Sequence, residues 1–127
     1  MEPRRILIID DDDAHLSSTR DILSAEGYEV FTHKHGFGAT YRARELRPDL
    51  ILLDVNMPGL PGESLAEVLR ANATTRDLPI VFYSSNDEDA LRESVRRFGV
   101  TGYISKGNLA ALRAKVAQFL RESVETR

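Results

Sequence analysis

The feature that most restricts how this chain can fold is an alternation. A short, mostly apolar run is followed by a longer amphipathic stretch, five times over. The runs occupy residues 6–9, 28–31, 50–53, 80–83 and 102–104. The first, third and fourth are almost continuously apolar, as parallel strands buried on both faces are. The second is interrupted by Glu29 and reads as an edge strand.

Between the runs the spacing predicts helices. Residues 14–26 carry Leu16, Ile22 and Leu23 and stop at Gly27, a suitable C-terminal cap. Residues 38–46 end before Pro48, and residues 63–70 place Leu65, Val68 and Leu69 on one face. Residues 88–98 hold Leu91, Val95 and Phe98 at helical spacing and stop at Gly99. Residues 109–122 put Leu109, Leu112, Val116, Phe119 and Leu120 on one stripe, with Asn108 as N-cap. Strand and helix repeated in this way imply right-handed crossovers and a doubly wound α/β fold. The expected architecture is a flavodoxin-like five-stranded parallel sheet of order 2-1-3-4-5 with five helices.

A length of 127 residues suits one domain spanning residues 1–127. Its folded core is expected over roughly residues 4–122, with 123–127 as a tail or the start of a linker. The absence of cysteine excludes disulfides, zinc ribbons and thiol catalysis. A net charge of −3 argues against a nucleic-acid binder, which needs a basic face. Residues 1–5 lead into only four apolar residues before a run of aspartates, from which neither a signal peptide nor a membrane span can be built. The expectation is a cytoplasmic protein that contacts neither membrane nor nucleic acid directly.

In open α/β sheets ligands bind beyond the carboxyl ends of the strands, at the switch point in strand order. After the first strand come Asp10, Asp11, Asp12 and Asp13; after the third, Asp54, Val55 and Asn56. Ser84 and Ser85 follow the fourth strand, and Ser105 and Lys106 the fifth. Strands 1 and 3 are neighbours in the expected order, so Asp10, Asp11 and Asp54 should converge. Three carboxylates in one crevice repel unless protons or a cation neutralise them, and a hard divalent ion with oxygen ligands and retained waters answers that need. With the Lys106 ammonium and the Ser84 hydroxyl, the set describes an acyl-phosphate site in which Asp54 attacks phosphorus. Asp12 and Asp13 are read instead as a cap and a dipole partner for the first helix. His15, His33 and His35 lack a further ligand and are read as loop or surface residues.

The segments Ile6-Leu7-Ile8-Ile9-Asp10-Asp11, Pro48-Asp49-Leu50-Ile51-Leu52-Leu53-Asp54-Val55-Asn56-Met57-Pro58, Gly62, Pro79-Ile80-Val81-Phe82-Tyr83-Ser84-Ser85 and Gly102-Tyr103-Ile104-Ser105-Lys106 carry a resemblance. Together they make the whole chain similar to the receiver domains of bacterial two-component response regulators. The resemblance implies Asp54 as phosphoacceptor. Mg²⁺, with Mn²⁺ or Ca²⁺ as substitutes, would be held by Asp11, Asp54 and the backbone carbonyl of Asn56, and by Asp10 through water. It further implies Lys106 as the phosphate-binding cation, Ser84 as the switch hydroxyl and Tyr103 as the coupled aromatic. The donor would be a histidine kinase or phosphotransfer protein. The face formed by helix 4, strand 5 and helix 5, including Arg92, Arg96 and Tyr103, would meet a downstream partner or a second copy. Such a chain is a signalling phosphoacceptor rather than an enzyme.

Three departures from the family pattern stand out: Gly107 after the lysine where proline is usual, Ser85 where alanine or glycine is commoner, and Pro61 where aspartate is frequent. With glycine at 107 the preceding peptide bond is expected to be trans, with the lysine still reaching Asp54. The alternatives are a binding module of the same fold that signals without phosphorylation, and a small hydrolase or flavoprotein. The last lacks its motifs: Asn56 stands where a haloacid-dehalogenase-type site needs a second aspartate, and no phosphate loop rich in Ser, Thr and Gly follows strand 1.

Overall fold

The computed structural model describes residues 2–125. Its elements run β1 (Arg5–Ile9), α1 (Asp13–Ala25), β2 (Glu29–His33), α2 (Ala39–Leu46), β3 (Leu50–Leu53), α3 (Gly62–Ala71), β4 (Ile80–Ser84), α4 (Glu88–Phe98), β5 (Gly102–Ser105) and α5 (Leu109–Glu125). The five strands form one parallel sheet in the expected order, β2-β1-β3-β4-β5.

Alternation along each strand divides the core into two layers. Leu7, Ile9, Ile51, Leu53 and Phe82 face Leu65 and Leu69 of α3 and Leu91 of α4. Ile6, Ile8, Leu50, Leu52, Val81 and Tyr83 face Leu16 and Leu23 of α1 and Leu112, Val116 and Leu120 of α5. This is why the central runs are continuously apolar: each side chain has a helix to meet. Each fully buried aliphatic side chain contributes about 1.5–3 kcal/mol to that packing.

The helix ends follow the expected chemistry. Asp12 caps α1 by accepting from the backbone N–H groups of Ala14 (2.9 Å) and His15 (3.2 Å), and Asn108 Oδ1 accepts from Ala111 N–H (3.1 Å). Gly27 follows the C-cap of α1, and Gly99 caps α4; both are left-handed, with φ of 94° and 65°.

Several boundaries and faces differ from the sequence reading. β2 starts one residue later and continues to His33, because its pairing with β1 extends to Ile9↔His33, beyond the apolar run. In α3 the inner stripe is Gly62, Leu65, Ala66 and Leu69. Val68 lies about 100° off that stripe at 100° per residue and is 46% exposed, not inward with Leu65 and Leu69. Leu109 belongs angularly to the α5 stripe but occupies the first turn, above the strand ends, and is 43% exposed. α5 continues through Glu125 and buries Ser123, so residues 123–125 are helix rather than tail; residues 126–127 lie outside the described residues. No described helix is long and apolar enough to cross a membrane.

Candidate metal and phosphoryl site

The acidic residues sit on the last rungs of the sheet. Asp10 N–H donates to His33 carbonyl oxygen (3.1 Å), Asp54 N–H to that of Ile9 (2.9 Å), and Lys106 N–H to that of Ser84 (2.9 Å). Each backbone is therefore fixed by a ladder hydrogen bond, while its side chain stands just beyond the strand ends. The register Ile9↔Leu53 brings the ends of β1 and β3 level, and Ser84↔Ser105 does the same for β4 and β5.

The convergence is close. Carboxylate oxygens of Asp10, Asp11 and Asp54 lie within 4.8 Å of one another. Asp10 and Asp54 are buried, and Asp11 is half-buried at the mouth. Lys106 Nζ stands 2.6 Å from Asp10 Oδ2 and 3.3 Å from Asp54 Oδ2. The other oxygen of each buried acid accepts from backbone two residues on: Asp12 N–H to Asp10 Oδ1 (3.0 Å) and Asn56 N–H to Asp54 Oδ1 (3.1 Å). No described peptide bond is cis, so Lys106–Gly107 is trans, and the lysine reaches Asp54.

One ammonium does not balance three acids. Burial pushes the Asp54 carboxyl up to about 6, against the pull of Lys106. Burial also works to discharge Lys106, but the hydrogen bond and charge of Asp10, together with Asp54, outweigh it and hold the ammonium above its ordinary range. An all-oxygen donor set with uncompensated negative charge fits a hard divalent cation. Among the described residues the metal-capable cluster consists of these three aspartates and includes no histidine. His33 closes the β2–α2 turn, its Nε2 donating to Phe37 carbonyl oxygen (2.8 Å), and His15 lies in the first turn of α1. Asp12 is the cap described above, and Asp13 pairs with Lys34 (2.9 Å).

Ser84 ends β4, fully buried. Its Oγ accepts from Asn56 Nδ2 (3.3 Å) and Asn86 N–H (3.2 Å), while Asn56 Nδ2 also donates to Asn86 Oδ1 (2.7 Å). This bridge between the β3–α3 and β4–α4 loops was missed in the sequence. Neither periodicity nor strand-end position signals it, since it joins side-chain polar atoms of residues 28 and 30 positions apart. Tyr103 is not part of the acidic cluster. It is half-buried on β5, packed against the α3–α4 core layer, with Lys115 Nζ 5.4 Å from its ring centroid. With Arg92, Val95, Lys115, Gln118 and Phe119 it lines a groove between α4 and α5.

The comparisons with known proteins agree with this architecture. The family model for the response regulator receiver domain matches residues 6–117. The polar-differentiation response regulator DivK of Brucella anthropi is 32% identical over 104 residues, covering 82% of this chain and 85% of that protein. A CheY-like response regulator receiver domain protein from Methanospirillum hungatei superposes with a TM-score of 0.87 at 27% identity, over 98% of this chain and 99% of that one. The receiver domain of the sensor histidine kinase PA1611 from Pseudomonas aeruginosa, whose structure has a magnesium ion coordinated in the active-site cleft, gives 0.82 at 27% identity, over 97% and 98%. With five parallel strands in this order and a family match spanning most of its length, the chain belongs to the response regulator receiver domain family.

Proposed function

We propose that the chain is a phosphorylation-dependent switch in which Asp54 accepts a phosphoryl group. The observation that carries this reading is the buried Lys106 ammonium bridging Asp10 and Asp54 within a three-aspartate cluster. An Asp54 oxygen attacks phosphorus on a phosphohistidine or small acyl-phosphate donor. The bond from phosphorus to the donor breaks, its electron pair leaves with the donor, and an acyl-phosphate remains on Asp54. Lys106 offers its charge to the phosphoryl oxygens. Ser84 accepts twice through Oγ, which leaves its own proton to donate to the same group.

Asp11, Asp54 and the backbone carbonyl of Asn56 would hold Mg²⁺, with Asp10 acting through water, and the ion would supply charge neutralisation at the transferring oxygens. The donor is a histidine kinase or phosphotransfer protein in the cytoplasm. The output runs from Ser84 to Tyr103 and the α4–β5–α5 face, toward a downstream partner or a second copy. On that face Arg92 is paired with Glu88 and Asp89, and Arg96 with Glu93.

Incubation with Mg²⁺ and a small acyl-phosphate donor should add one phosphoryl mass to the intact protein. No added mass under any donor would favour a binding module that signals without phosphorylation. Asp11→Ala should lose metal binding and phosphoryl acceptance together, because it removes one of two directly coordinating carboxylates. The chain has no tryptophan, so the Mg²⁺ titration is best followed by amide chemical shifts. Unchanged shifts on titrating Asp11→Ala, beside a saturable response of wild type, would support the ligand assignment. A wild-type-like response of the variant would remove Asp11 from it.

A further inference from the structure

Beneath the site lies a buried pair that phosphoryl acceptance as described does not use. Tyr83 is 1% exposed on the α1–α5 side of the sheet, immediately before Ser84. Its hydroxyl is 3.0 Å from Thr19 Oγ1 on α1, and Thr19 is fully buried. Burial pushes the phenol above its ordinary range, so it stays neutral. Its ring faces the lysine: Lys106 Nζ stands 5.6 Å from the ring centroid.

A tyrosine with a satisfied hydroxyl is often only a core residue, and the surrounding Val81, Ile104 and Leu112 would accept an aliphatic side chain there. The surroundings of Lys106 give it more to do. Gly107 and Asn108 are exposed, and a Cβ on Gly107 would meet nothing nearer than Ser105 Oγ at 3.8 Å, so the chain after the lysine is not held by packing. The partners on the other side of the ammonium are Asp10 and Asp54. A bound cation and a phosphoryl group would both draw on those carboxylates. The ring face attracts the ammonium and is taken up by neither.

We propose that Tyr83, through the face of its ring, is a positioning residue that holds the Lys106 ammonium beside Asp54 before and after phosphoryl transfer. This rests on the phosphoacceptor reading for its consequence, but not for its geometry. The decisive comparison is Tyr83→Phe, which keeps the ring, against Tyr83→Leu, which removes it. The first measurement is side-chain relaxation of ¹³Cε-labelled lysine in the metal-free protein. Lys106 should be rigid in wild type and in Tyr83→Phe, and should move into the flexible range in Tyr83→Leu. The second is the phosphorylation rate at saturating Mg²⁺ and donor. Tyr83→Leu should lower it about tenfold, with Tyr83→Phe within about twofold of wild type.

Should Tyr83→Leu fail to fold, Tyr83→Met takes its place, filling similar volume without an aromatic face. A rigid Lys106 in the ring-less variant, or equal slowing in the phenylalanine and ring-less variants, would overturn the proposal. If wild type accepts no phosphoryl group while Lys106 mobility responds as described, the phosphoacceptor reading falls and the positioning role of Tyr83 stands.

Discussion

Asp54→Asn should abolish phosphoryl incorporation completely and, in the metal-free protein, raise stability at neutral pH. The first effect follows because, among the described residues, only Asp10 and Asp54 set a buried carboxylate at a strand end against the Lys106 ammonium. Asp10 is equally buried, but its Oδ2 is already engaged by the lysine at 2.6 Å. The second effect is electrostatic. The Asp54 carboxyl titrates near 6 in the folded chain against an ordinary 3.8, with burial as the main cause. Between those values the native state binds more protons than the unfolded state, so stability falls as pH rises through that window and stays reduced above it. Asparagine carries no charge and removes this slope. A gain on the order of 1 kcal/mol corresponds to roughly 3–6 °C in melting temperature for a domain of this size. Thermal melts from pH 4 to pH 8 without metal would show it as a flatter profile for the variant. Saturating Mg²⁺, which requires the ionised carboxylate, should offset the wild-type decline. An equal slope in wild type and variant would mean that Asp54 is not the strained group. A phosphoryl mass on the asparagine variant would move the acceptor elsewhere.

The sheet and the acidic cluster were legible in the sequence for one shared reason. Residues 50–53 are apolar at every position because helices cover both faces of the central strands, and the same burial makes the first polar residue beyond the run, Asp54, conspicuous. The edge strand was less legible. Its pairing continues through Thr32 and His33, where backbone hydrogen bonds persist without an apolar pattern to mark them. Val68 was misplaced because a period of 3.6 admits it near Leu65 and Leu69, and only the direction of the sheet decides that Ala66 takes the inward place. The Asn56–Ser84–Asn86 bridge and the Thr19–Tyr83 pair were illegible for a different reason. Each joins residues far apart in the chain through side-chain polar atoms, and neither periodicity nor strand-end position reports such a contact.

Gly62→Ala should be among the most damaging single methyl additions in the protein. α3 begins at Gly62, whose N–H donates to Val55 carbonyl oxygen (3.0 Å) and ties the helix to the loop that carries Asp54. A Cβ built there would stand 2.0 Å from Asp54 carbonyl oxygen, 2.8 Å from its carbonyl carbon and 2.9 Å from Val55 Cα. All three atoms are backbone, so no rotamer change relieves the contact. Either the first turn of α3 lifts away and loses its hydrogen bond, or the chain just beyond β3 shifts and carries the Asp54 carboxylate with it. The expected cost is about 3 kcal/mol, the upper end for overpacking, and the phosphorylation rate of whatever folds should fall with it. Gly107→Ala is the matched control, since its nearest new neighbour is 3.8 Å away and its φ lies outside the left-handed region; it should stay within about 0.5 kcal/mol of wild type. Denaturant melts of the two variants give the comparison directly. Equal stability of Gly62→Ala and wild type would mean that the packing of α3 against the loop carrying Asp54 is looser than this geometry requires, and that Asp54 is held in place by the β1 and β4 ladders alone.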